Sequence, residues 1–440
     1  MHNIRYFIRL INAYLTRFKA ILFLGIIIGI LIFFTIRFVA PFFLNKNIER
    51  IGYTGRYQSD NLPSDITEFI SQGLTKVSKD FNIEPNIAGS WESPDKGKTW
   101  TFHLKDNIYW QDGEIVDSNS ISYSFSDVRI EKPDKKTIVF YLDNNFSPFP
   151  AVLSKPIFKK GLLGTGEWEV KKMSLAGNII QRLELTDKKG NKKIFRFYPT
   201  EERTKLAYKL GEVDKIYNII DPTPLDSWKT VKISVTPNKN QYIAVFFNTT
   251  DTFLSEKSIR QSLAYAIDKD SLNLERSYSP ISPNSWAFNP QVKPYNFDKE
   301  RSIKLLESIP KEKIENNEIR LSTTPPLLNI AERIKKYWDE IGIKTNVQVT
   351  NTIPSDYQAF LAIFDIPKDP DQYALWHSTQ DATNITKYDD PRVDKLLEDG
   401  RIELDLEQRR KIYLDFQRFL IEDSPAIFLF HPNYFHIERK

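Results

Sequence analysis

"WTFHLKDNIYWQDG", Trp100 to Gly113, decides how the chain is read. Trp100, Phe102 and Leu104 alternate with Thr101 and His103, so the three large apolar side chains share one face of a strand. Lys105, Asp106 and Asn107 suit a turn, and Asp112 with Gly113 suits the next one. The spacing therefore predicts strand, turn and strand end, with Trp110 packed beneath. Two tryptophans, a histidine and two aspartates in one short stretch also fit a sugar platform, a metal site or an acid/base pair. The rest of the chain has to choose.

The 440 residues allow two or three domains, and an aromatic content of 13% can bury a large area. The formal charge is +4, but it is unevenly placed. Residues 1–50 hold seven basic residues against Glu49 alone, a balance of +6, which leaves −2 for the other 390 residues. The body mixes both signs and shows no basic stripe for a phosphate backbone, so a nucleic-acid partner is not expected. There is no cysteine, which excludes disulfides, zinc–thiolate sites, a thiol nucleophile and a lipidated N-terminal cysteine.

"AILFLGIIIGILIFFTI", Ala20 to Ile36, carries no charge. As a helix it spans about 25 Å, and the apolar run resumes beyond Arg37, so it predicts one transmembrane helix in residues 1–45. Arg5, Arg9, Arg17 and Lys19 precede it without an acid, which places the N-terminus in the cytoplasm and the body outside. "RFVAPF" makes a poor signal cleavage site, so the segment reads as an uncleaved anchor.

Beyond the anchor, helical and strand patterns mix. Helices are expected at 64–74 with Ser64 as cap, within "SNSISYSF" (118–125), at 200–214, 255–272 and 405–423, and across "DDPRVDKLLEDGR". "PLLNIAERIKKYWDEIGIKTNVQV" (326–349) reads as a helix ended by Gly342 and followed by an alternating strand. No phosphate loop, zinc-protease motif or nucleophile elbow occurs. The five histidines form no recognised metal spacing. No cofactor and no enzyme activity are expected. A hydrolase using Asp106 and Asp112 is the remote alternative.

The order of segments resembles the family 5 extracellular solute-binding proteins, the peptide- and nickel-binding receptors of ABC importers. The resemblance begins in residues 86–126, where Ala88, Ser90, Trp91, Trp100, Thr101, Phe102, Leu104, Trp110, Asp112, Gly113, Tyr123 and Ser124 match the family pattern. It continues through "GTGEWEV" (164–170), "AYKLGEVD" (207–214), "FFNTTDTFLSEKSIRQSLAYAIDKDSL" (246–272), "WDEIGIKTNV" (338–347) and "DPDQYALWHSTQDATNITKYDDPRVDKLLEDGR" (369–401).

The resemblance implies an α/β, two-lobed periplasmic-binding-protein-like fold of the class II, cluster C type, with a hinge and an extra small domain. The expected division is 46–245 for lobe 1, including the small domain at about 75–160, then 246–424 for lobe 2 and 425–440 as a return strand to lobe 1. The implied function is capture of peptides in the interlobe cleft by hinge closure, with delivery to an ABC permease and its ATPase subunits. An anchored peptide sensor or chaperone without transport is the alternative.

By the same resemblance Asp365, in "AIFDIPKDPDQ", is the candidate partner of a ligand's α-amino group, with Phe364 packing beside it. A register through Asp369 is the other option. Asn248 is a candidate for holding ligand or hinge backbone, and Trp286 and Trp376 are candidate ligand walls, because indole offers a flat face and one donor. Arg260 matches the family's helix arginine and is read as structural.

Overall fold

The computed structural model describes residues 14–44, 47–354 and 356–440. The N-terminal helix Lys19–Leu44 precedes the body, and its described apolar side chains, Ile21, Phe23, Leu24 and Leu31 among them, are exposed. Among the described residues no helix is long and apolar enough to cross a membrane. Residues 1–13, where Arg5 and Arg9 of the expected cytoplasmic flank fall, lie outside the described residues.

The first lobe starts with β1 (Ile48–Thr54) and the short pair β2 (Thr75–Val77) and β3 (Ile83–Pro85). A small domain follows, of β4 (Ala88–Glu92), β5 (Thr99–Leu104), β6 (Val128–Asp134) and β7 (Thr137–Leu142). The chain returns through β8 (Trp168–Ala176), β9 (Ile179–Asp187), β10 (Lys192–Tyr198), β11 (Lys215–Ile219) and β12 (Val231–Pro237). The second lobe holds β13 (Gln241–Phe247), β14 (Glu318–Thr323), β15 (Lys344–Val349), β16 (Ala359–Asp365) and β17 (Ala426–Phe430). β18 (Asn433–Arg439) goes back to the first lobe.

Among the described residues, three larger sheets carry the body beside the β2-β3 pair. The first-lobe sheet has the order β12-β18-β11-β1-β10-β9-β8, the second-lobe sheet β15-β14-β16-β13-β17, and the small domain β4-β5-β7-β6. β13, from Gln241, pairs with β16 and β17 in the second-lobe sheet. β17 stays in that sheet, and the return to the first lobe is β18 alone, pairing with β11 and β12. A strand belongs to the sheet whose ladder it joins.

Residues Trp100 to Leu104 lie in β5, whose Trp100, Phe102 and Leu104 are buried while His103 on the other face is exposed. Trp110 is buried beneath them. Each indole donor is used within the fold: Trp100 Nε1 donates to Gly97 O at 3.1 Å and Trp110 Nε1 to Ser120 Oγ at 3.0 Å. Gln111 clasps the small domain to the first lobe. Its Nε2 faces the carbonyls of Ile70, Gly166 and Trp168 at 3.0, 3.1 and 2.9 Å, and its Oε1 accepts from Gly164 N–H at 3.0 Å.

Two local expectations need correcting. "SNSISYSF" holds only a short 3-10 turn, Ser118–Ser120, because Asp117 and Ser120 close a capping box and the next residues turn extended. The helix Ser64–Ile70 is preceded by Pro63, and Ser64 caps nothing. In contrast, the helix Leu328–Asp339 buries Ala331, Ile334 and Trp338, Gly342 turns the chain at φ +86°, and β15 follows. Arg260 is buried and donates to the carbonyls of Leu254, Ser255, Asp423 and Ser424, a brace between its helix and the end of the helix Leu406–Asp423.

Candidate functional site: the interlobe cleft

A cleft of about 1050 Å³ opens where the lobes and the small domain meet. The first lobe supplies Ser59, Asp60, Leu62, Ser64 and Thr67, the small domain Phe146, Pro148, Val152, Lys155 and Phe158, and the second lobe Asp365 to Asp369 and Asp371. The second-lobe wall follows directly from the sheet. β16 lies between β14 and β13, and the chain leaves its carboxyl end at Asp365 straight into the cleft. Ligands of open α/β sheets gather at such strand ends.

The acids lining this wall differ in what they already hold. Asp369 is buried and takes a two-pronged ion pair from Arg409, at 2.8 and 2.5 Å. Burial pulls the Arg409 guanidinium down, and the Asp369 carboxylate beside it more than offsets this, so that its proton is held more tightly than usual. Asp371 accepts from Arg401 Nε at 3.0 Å and from Tyr373 N–H at 3.1 Å. Burial pushes its carboxyl up, against the pull of Arg401. Asp365 is different: it is exposed to the cleft and, among the described residues, receives one side-chain donor, Gln241 Nε2, at 2.6 Å.

Among the described residues, contacts cross the cleft at two places. Lys368 Nζ lies 3.5 Å from Glu68 of the helix Ser64–Ile70. On the small-domain side, Ser147 N–H donates to Arg401 O at 2.7 Å, and the Arg401 guanidinium sits 5.0 Å over Phe146 and 4.1 Å over Tyr373. Lys155 lines the cleft, is exposed, and has no ion-pair partner among the described residues.

The other candidates sit elsewhere. Phe364 neighbours Asp365, but successive strand residues face opposite ways, and it packs on Tyr242 and Phe246 at ring distances of 6.2 and 5.0 Å. Trp376 is buried against Phe246 and Phe428. Trp286 stands behind the wall, 5.7 Å over the Arg409 guanidinium. Asn248 follows the far end of β13, about 23 Å along the strand from Gln241, where its Nδ2 donates to Tyr357 O at 3.2 Å and its Oδ1 accepts from Thr250 N–H at 3.1 Å. Of the five candidates, Asp365 alone lines the cleft. Lys155 and Gln241 carry no motif that singles them out; only their positions in space do. Among the described residues no group of three or more histidines and acids is arranged to hold a metal ion.

A cleft between two α/β lobes, crossed twice by the chain and walled by a half-satisfied carboxylate, defines a ligand-binding protein of the two-lobed class. The family description "Bacterial extracellular solute-binding proteins, family 5 Middle" matches residues 82–384, and the chain belongs to this family. It is similar to the probable D,D-dipeptide-binding periplasmic protein DdpA of Escherichia coli (strain K12), with 22% identity over 417 residues and 80% of each chain covered. Its fold is similar to that of NikZ from Campylobacter jejuni in complex with Ni(L-His), with a TM-score of 0.73, 21% identity, and 90% of this chain and 94% of that one covered. It is similar again to the oligopeptide-binding protein AppA of Bacillus subtilis in complex with a nonapeptide, with a TM-score of 0.68, 18% identity, and coverage of 90% and 95%.

Proposed function

We propose that this protein is the extracytoplasmic receptor of an ABC importer, that it captures peptides in the interlobe cleft, and that it works tethered to the membrane by its N-terminal helix. The observation that carries the peptide reading is Asp365, a carboxylate facing the cleft with one neutral donor. A peptide's α-ammonium completes it as a charge-assisted pair. Asp369 is not available for this role, since Arg409 occupies both its oxygens. Lys155, across the cleft, offers a cation to a ligand carboxylate. The relatives named for peptides support this class of ligand.

Binding in the cleft gives the ligand contacts to both lobes, and contacts made only in the closed arrangement shift the population toward it. The tether is supported by the uncharged run Ala20 to Ile36 and by the exposed apolar side chains of the helix Lys19–Leu44. A tethered receptor stays near its permease without diffusing away.

Thermal unfolding with a synthetic peptide library tests the ligand class. A peptide at a hundredfold excess over its Kd stabilises by about 2.7 kcal/mol. Asp365→Ala should weaken free-amine peptides by roughly tenfold or more, the range of a hydrogen bond to a charged group, and spare their N-acetylated forms. A library without any stabilising member, or equal losses for both forms, refutes the reading. Carbonate extraction tests the tether: the full chain should stay with the membrane fraction, and a chain starting at residue 47 should not.

A further inference from the structure

Gln241 stands where the cleft carboxylate and the two crossovers between lobes meet. Its Nε2 donates to Asp365 Oδ1 at 2.6 Å in the second lobe. Its Oε1 accepts from Tyr434 Oη at 2.7 Å and from Asn238 Nδ2 at 3.2 Å. Tyr434 belongs to β18 of the first lobe, and Asn238 to the crossover that leads into β13. One planar amide thus bonds the cleft carboxylate on one side and both halves of the hinge on the other.

The backbone around it is stitched in the same way. Asn238 N–H donates to Pro432 O at 2.9 Å, joining the two crossovers, and Ile366 N–H donates to Asn240 O at 2.8 Å, joining the residue after Asp365 to the first crossover. His431, in the second crossover, donates from Nδ1 to Gln241 O at 2.7 Å. Tyr434 stands in a first-lobe strand and Gln241 in a second-lobe strand, so the bond between them depends on the angle between the lobes. The Tyr434 bond therefore belongs to a limited range of hinge angles. Within that range it fixes the amide plane, and the amide fixes the Asp365 carboxylate.

We propose that Gln241 is a positioning residue that couples hinge angle to ligand recognition: the Tyr434–Gln241–Asp365 chain presents the carboxylate to a ligand's ammonium when the lobes are closed. Coupling of this kind is reciprocal, so a ligand that engages Asp365 favours closure by the same factor. The inference rests on Asp365 being the ammonium partner.

The test uses the full chain in detergent with an equimolar pool of synthetic tri- to pentapeptides, presented with free amines and again N-acetylated. Retained peptide is quantified after equilibrium dialysis for the wild type, Asp365→Ala, Tyr434→Phe and Gln241→Leu. Tyr434→Phe removes one hydroxyl and keeps the ring. It should weaken the free-amine pool by about two- to tenfold, the range of one hydrogen bond, and leave the acetylated pool unchanged. Gln241→Leu should show the same selectivity with a larger loss. A merely structural role would lower both pools together. If Asp365→Ala separates the pools while Tyr434→Phe and Gln241→Leu do not, the coupling is wrong and the ammonium reading stands. If Asp365→Ala fails to separate them, or the wild type retains neither pool, the ammonium reading falls and the coupling with it.

Discussion

Replacing Asp369 separates structure from recognition at the cleft wall. Asp369 and Asp365 both line the cleft four residues apart, yet their side chains do different jobs. The Asp369 and Arg409 side chains are only 11% and 7% exposed, and they meet at 2.5 Å. Arg409 further donates from Nε to Gly400 O at 2.8 Å and lies 5.7 Å from the Trp286 ring. Asp369→Ala leaves this buried guanidinium without a carboxylate, holding, among the described residues, only Gly400 O and the Tyr413 hydroxyl, and breaking a buried pair from one side costs about 3–5 kcal/mol. With an unfolding entropy of about 2.1 cal/mol/K per residue, the melting temperature falls by about 5 °C if both lobes unfold together. It falls by about 10 °C if a second lobe of some 190 residues melts alone. Asp369→Ala combined with Arg409→Met removes both charges and should recover most of the loss, since apolar replacement of a whole buried pair is often neutral. Calorimetry gives the stabilities, and peptide affinity below the melt should change far less than in Asp365→Ala. A single variant that melts within about 1 °C of the wild type, an effect below ~1 kcal/mol, would refute the reasoning. So would a double variant as unstable as the single one.

The remaining expectations are smaller. Gly164→Ala places a Cβ 2.2 Å from Ile70 O, a backbone atom that cannot yield easily; the urea midpoint should drop by the equivalent of ~1–3 kcal/mol, and an unchanged midpoint would mean that this junction is not tight. Burial holds the His431 imidazole below its ordinary 6.5, with Glu275 and Lys239 as its charged neighbours. The unfolded chain therefore takes up the proton first, so stability is unaffected well above pH 6.5 and declines as the pH falls through 6.5 toward the folded value. His431→Gln does not titrate, and Tm measured from pH 7 to pH 5 should fall less steeply in that variant; identical slopes would remove His431 from the pH response. His436, also held low by burial, contributes in the same window.

Much of the architecture was legible from local pattern. Helix and strand periods recover the helix-to-strand step at 328–349, with Gly342 at its turn, because amphipathic period and a positive-φ glycine are local properties. The short 3-10 turn at Ser118–Ser120 was not legible, because side-chain capping overrode a weak helical pattern. The sheet membership of β13 and β17 was not legible for a different reason: it depends on partners far away in sequence.

The stretch from Trp100 to Gly113 shows both sides. By itself it specified a buried strand and two turns, and through its spacing it pointed to the family, because alternation and turn chemistry are written residue by residue. What each charged residue does was decided only by the tertiary structure. Asp365 and Asp369 look alike in "FDIPKDP", and nothing local says that Arg409, forty residues on, saturates one and leaves the other facing the cleft. Charge is a property of the residue, but its availability depends on which distant side chains the fold brings within hydrogen-bonding reach.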